Sequence, residues 1–204
     1  MPKHKTSNLI SLPAMKVKYR DIFDMRELYD TLYFMLIERG WGDKEEEGSE
    51  HWESYYYEKI GQDGSKENWI RWRTFKKSPS SPDYIGFYLD FDMHIIGLKS
   101  TEIVKDGRKI KIDKGEVEIS LAPYIEEIYK EKFSQHSFLK HFKNIFSTRI
   151  YGQSLEQHKK ELYQEAYYIQ NSIKQWFKLK RHLPYEEGRA FYPSIAFPSH
   201  IKEE

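Results

Sequence analysis

At 204 residues the chain is long enough for one sizeable hydrophobic core and short for two, so a single domain is expected. It contains no Cys, which excludes a disulfide scaffold, a thiol nucleophile and any Cys-ligated zinc or iron-sulfur centre, and which suits a reducing, cytoplasmic setting. A net charge of +1 implies no polyanionic partner by itself, and no apolar run approaches the roughly 20 residues that cross a bilayer, so no membrane association is expected. The composition, 32% charged and 16% aromatic with a mean hydropathy of -0.81, is that of a folded protein; abundant Lys and Glu without Cys also resembles a thermophile's usage.

Residues 1–20 read as an extended arm with apolar anchors at Leu9, Ile10 and Leu12. Asp24 then has the character of an N-cap, with Glu27 three residues on as in a capping box. Leu28, Leu32, Met35 and Leu36 recur at helical spacing until Gly40, which predicts an N-terminal helix over 24–39. The acidic stretch 43–50 has no apolar period and reads as a loop.

From 52 to 121 the pattern is that of strands. WESYYYEKI and WIRWRTFKK flank a Gly- and Asp-containing turn, and SPSSPD leads to GFYLDFDMHIIGL. Asp106-Gly107 is a tight-hairpin signal, and Asp113, Lys114 and Gly115 suggest another turn before EVEISL. The expectation is an antiparallel meander of five or six strands with one apolar and one polar face.

After Pro123 the period changes to that of helices over 123–182, followed by a Pro- and aromatic-rich strap over 183–204. The last helix, beginning near Ser154, carries Leu162, Ala166, Ile169, Ile173 and Trp176 at heptad steps, which suggests a homodimer seam. The fold class expected is α+β: the meander packed on helices, with an N-terminal helix and a long C-terminal one, residues 21–182 forming the single domain.

Two groups of residues carry candidate chemistry. In an extended 86–98, Asp90, Asp92 and His94 share one face; Glu116 and Glu118 could join them in a metal or acid-base site of a hydrolase or nuclease. Same-face neighbours on one strand stand nearly 7 Å apart, too far to converge on one ion alone. Arg71 and Arg73 also alternate on a neighbouring strand, so the face is expected to be ion-paired, with no catalytic residue, metal or cofactor assigned. His136, His141 and His158 fit no helical chelate and read as solvated or capping.

The second group is electrostatic. Residues 132–182 hold ten bases against three acids, a net +7 that leaves -6 for the rest. On the last helix Lys160, Tyr163, Tyr167, Lys174, Lys178 and Arg181 fall on one stripe, with Lys140 and Lys143 upstream. Cations neutralise phosphates and Tyr rings stack on unpaired bases. The leading expectation is therefore a non-enzymatic, homo-oligomeric protein that binds RNA or a ribonucleoprotein such as the ribosome; a structural assembly protein is a further alternative.

Overall fold

The computed structural model describes residues 9–44, 52–105, 108–130 and 152–180. Six strands form one antiparallel sheet: β1 (Leu9–Ser11), β2 (Met15–Phe23), β3 (Glu53–Ile60), β4 (Lys66–Lys77), β5 (Ile85–Lys105) and β6 (Arg108–Glu127). The order is β1-β6-β5-β4-β3, with β2 also on β6, so β1 and β2 share one edge and β3 is the other. Helix α1 (Met25–Glu38) follows β2, and α2 (Gly152–Lys180) closes the described chain.

This arrangement corrects the expected one in three places. The helix is not N-terminal, because the stretch read as an arm supplies two strands before it. Lys16, Lys18 and Arg20 alternate with Met15, Val17 and Tyr19, so β2 lays one apolar row on the core and one basic row outward. The turn expected at 113–115 is absent, since β6 runs through it while paired with β2. Nor does a helix start at Pro123: the strand continues to Glu127 and only then turns helical at 128–130. The remaining helices, the Asp106-Gly107 turn, most of the acidic loop and the strap lie outside the described residues.

Two of the sheet's irregularities fall on the long strand β6 and its partners. Ser11 faces Tyr124 while Met15 faces Leu121, so three residues of the edge, Pro13 among them, stand against two of β6, Pro123 among them. A proline lacks a ladder donor, and a bulge is where a sheet tolerates that. Leu12 N–H still donates to the Pro123 carbonyl at 3.0 Å. The second lies between Ile96 and Lys99 of β5, where Gly97 has φ 63°, a left-handed conformation that an L side chain resists by roughly 1–2 kcal/mol. Opposite it, Gly115 has Leu98 Cα only 3.1 Å from where a Cβ would stand, so the bulge needs glycine on both strands.

One sheet face is covered. Phe87, Leu89, Phe91, Met93 and Ile95 of β5 are buried with Val117, Ile119 and Leu121 of β6, beneath Leu28, Leu32 and Leu36 of α1 and Leu162, Ala166, Ile169 and Ile173 of α2. α1 begins as its capping box requires, with Glu27 N–H donating to Asp24 Oδ1 at 2.9 Å. Trp72 anchors it: the buried indole meets the rings of Tyr29 and Tyr33 nearly edge-on, and its Nε1–H donates to Glu53 Oε2 at 3.1 Å.

Candidate nucleic-acid interface

Which residues α2 presents to a partner follows from how it docks. Leu162, Ala166, Ile169 and Ile173 are at most 1% exposed, buried in the chain's own core, so the residues named for a dimer seam are occupied within one copy. The heptad also drifts: Phe177, not Trp176, continues the buried row, because a straight helix turns every 3.6 residues rather than every 3.5. Trp176 instead lies half-buried in a groove against Leu28, Leu32 and Met35 of α1.

The opposite side of the helix faces solvent. Lys160, Tyr163, Tyr167, Lys174 and Lys178 are all exposed, Tyr163 by 40% and Tyr167 by 51%. Two of the three acids of α2, Glu161 and Glu165, turn away from this row, and the third, Glu156, is exposed near its start and pairs with Lys159. Glu165 accepts from Trp41 Nε1 and Lys76 Nζ, each at 3.1 Å, and lies 3.6 Å from Arg39 Nε. Glu156 pairs with Lys159 at 2.6 Å, and Glu161 accepts from Ser80 Oγ at 3.3 Å. Among the described residues Lys160, Lys174 and Lys178 therefore carry charge without a carboxylate partner. Lys140, Lys143 and Arg181 lie outside the described residues.

Lys174 and Lys178 also border a cleft of about 260 Å³ between β2 and the end of α2, completed by Val17, Lys18, Tyr19 and Phe177. Tyr19 stacks on Phe177 with centroids 4.2 Å apart and planes inclined by 17°, and Phe23 meets both rings edge-on at 6.2 Å. Lys18 is held by Glu116 at 2.6 Å, whose carboxylate raises the Lys18 pKa above its usual range. Sequence reasoning placed Lys174 and Lys178 but missed Lys18 and Tyr19, since the segment containing them reads as an arm.

The second sheet face holds the other candidates. Cross-strand register sets Arg71 against Asp92 and Arg73 against Asp90. Arg73 reaches Asp92 Oδ1 at 2.8 Å and Asp90 Oδ2 at 3.4 Å, and Arg71 reaches Asp92 at 3.5 Å. His94 Nε2 meets Glu67 Oε1 at 2.9 Å while its ring stacks on Trp69. Glu118 takes Lys16 at 2.6 Å, which holds its carboxyl below the usual range. Each of Asp90, Asp92, His94, Glu116 and Glu118 thus faces an oppositely charged or hydrogen-bonding neighbour. Among the described residues no three His, Asp or Glu side chains converge as metal ligands would.

His158 departs from its reading as solvated or capping. It is 2% exposed, set near Phe87, with Nδ1 at 3.2 and 3.3 Å from the hydroxyls of Ser78 and Ser80 and Nε2 at 3.3 Å from Ser154 Oγ. It ties the turn after β4 to α2. The signal was present, because His158 stands four residues before Leu162 on the buried row.

Two phenols, Tyr88 on the face of Asp90 and Asp92 and Tyr56 on the core face, give the protein a limit at high pH. Tyr88 donates to Glu126 Oε2 at 2.8 Å, and burial, with Glu126 adding to it, pushes its phenol well above the ordinary value of 10. Burial and the charge of Glu58 raise Tyr56 likewise. A raised folded-state pKa stabilises fully below the unfolded value, and the contribution is lost as pH rises past about 10. Stability in urea should fall from about pH 10 upward, each phenol contributing a slope of up to about 1.4 kcal/mol per pH unit. Tyr88→Phe should flatten that decline, and an unchanged slope between pH 9 and 11 would show that Tyr88 is not its source.

Among the described residues no helix is long and apolar enough to cross a membrane. No protein-family model matches the chain and no curated protein matches it in sequence.

Proposed function

We propose that the chain is a non-catalytic cytoplasmic protein that binds RNA, free or within a ribonucleoprotein, through the solvent face of α2. The observation that carries this is the row Lys160, Tyr163, Tyr167, Lys174 and Lys178, exposed on one helix where Glu161 and Glu165 turn away and Glu156, at the start of the row, pairs with Lys159. From Lys160 to Lys178 the row spans roughly 27 Å at 1.5 Å per residue, room for several phosphates of one strand. Cations so placed release counterions from phosphates, and exposed Tyr rings offer unpaired bases a stacking surface. The second sheet face is the weaker candidate because its arginines and lysines already face carboxylates. No second copy is needed, the apolar row of α2 being buried within one chain.

The test is a salt titration of binding to single-stranded RNA. Lys160→Glu should lower the slope of log K against log salt by roughly 0.7, because one phosphate is no longer neutralised. Tyr167→Ala should weaken binding by about 1–3 kcal/mol at every salt concentration with little change of slope. If both variants match the wild type near ~50 mM salt, where electrostatic binding is strong, the row is only a solvated helix face.

A further inference from the structure

We infer that the cleft between β2 and the end of α2 seats one unpaired nucleotide, its base on the Tyr19 and Phe177 side and its phosphate toward Lys174 and Lys178. This deepens the RNA reading, since the two lysines belong to both the row and the cleft, but it depends on different residues. The walls are apolar and aromatic: Val17 and Phe177 are buried, and Tyr19, half-buried, stacks on Phe177. Phe23 braces both rings from the side, so the aromatic wall is fixed before a ligand arrives. Lys174 and Lys178 are one helical turn apart on the same face, neither paired with a carboxylate among the described residues. On the opposite rim Lys18 is already neutralised by Glu116. The rim therefore carries two uncompensated positive charges, matched to one phosphate.

Size selects further. At about 260 Å³ the cleft lies below the roughly 300–1,000 Å³ of sites that enclose drug-sized molecules, so one flat ring fills it. An acidic side chain would satisfy the lysines and leave the aromatic wall unused; a bare hydrocarbon would do the reverse. A nucleotide has both a flat face and an adjacent anion, and a free nucleotide and one within a strand share that chemistry.

Three probes on the full chain separate the possibilities. Uridine 5′-monophosphate should shift the amide resonances of residues 17–19 and 174–178. Decauridylate should bind more tightly than an abasic decamer of the same charge, by roughly 5- to 150-fold for one stacked base. Tyr19→Leu, which keeps an apolar side chain against Phe177, should reduce that preference by the share of one stacked base, roughly 5- to 150-fold, while leaving the salt slope unchanged. If Tyr19→Leu leaves the preference for decauridylate intact while Lys160→Glu still lowers the slope, the cleft assignment is wrong and the helix reading stands. If the monophosphate shifts the cleft resonances and Lys160→Glu changes nothing, the cleft is a free-nucleotide site and the helix reading falls. Should Tyr19→Leu fail to fold, the wild-type shifts decide: their absence, or their confinement to other residues, overturns the cleft.

Discussion

Ile169→Asp is expected to unfold the chain, not to separate a pair of chains. Ile169 has no exposed surface and sits at the centre of the row that docks α2 on the sheet. Removing its side chain alone, as in Ile169→Ala, should cost about 2–5 kcal/mol through reduced burial and cavity formation. A carboxylate there would add several kcal/mol of desolvation with no cation on that row to offset it, against a total stability of about 5–15 kcal/mol. Urea denaturation of Ile169→Ala at two protein concentrations separates the alternatives. A lowered midpoint that does not depend on concentration places the row inside one chain, whereas a midpoint that rises with concentration would show it shared between copies.

That seam illustrates what sequence pattern does and does not specify. Period locates the apolar face of α2 correctly, because Leu162, Ala166, Ile169 and Ile173 are all buried, but it is silent about what covers the face. α1 was legible to its ends, since its N-cap is chemistry within four residues: Asp24 and Glu27 meet as their spacing requires. The edge strands were not, although Met15, Val17 and Tyr19 alternate with bases, because their pairing joins the start of the chain to β6 about a hundred residues later. Pro123 and Gly115 mislead for the opposite reason. Both are local breakers by composition, yet each sits at a bulge where an unbroken strand accommodates it.

The same division governs the candidate sites. Lys160, Tyr163, Tyr167, Lys174 and Lys178 could be aligned by turning 100° per residue, because one helix carries them all. Lys18 and Tyr19 could not be joined to them, since the cleft exists only where β2 passes beside the end of α2. On the sheet, alternation placed Asp90 and Asp92 on one side with Arg71 and Arg73, and register made pairs of them.

Arg73→Ala should be the most damaging change on that charged sheet face, at about 3 kcal/mol. Its guanidinium stands 3.4 Å from Asp90, whose side chain is only 8% exposed, and it also donates to the carbonyls of Trp72 and Phe91 at 3.0 and 3.3 Å. Truncating one partner of a buried pair leaves the other charge desolvated, which typically costs 3–5 kcal/mol; Arg73, a quarter exposed, belongs at the low end. Asp92, half exposed, pairs with the same guanidinium at 2.8 Å, and Asp92→Ala should cost no more than about 1 kcal/mol. Replacing both buried partners, Arg73→Met with Asp90→Leu, should recover most of the loss, because no uncompensated charge remains. Urea midpoints of the four proteins measure the series. The same samples test the carboxylates for a hidden metal role, since an ion bound only by the folded chain would raise the wild-type midpoint. A zinc- or manganese-dependent rise that disappears in Asp92→Ala would make Asp90, Asp92 and His94 a metal site; a midpoint indifferent to both ions leaves them as the charged partners of Arg71, Arg73 and Glu67.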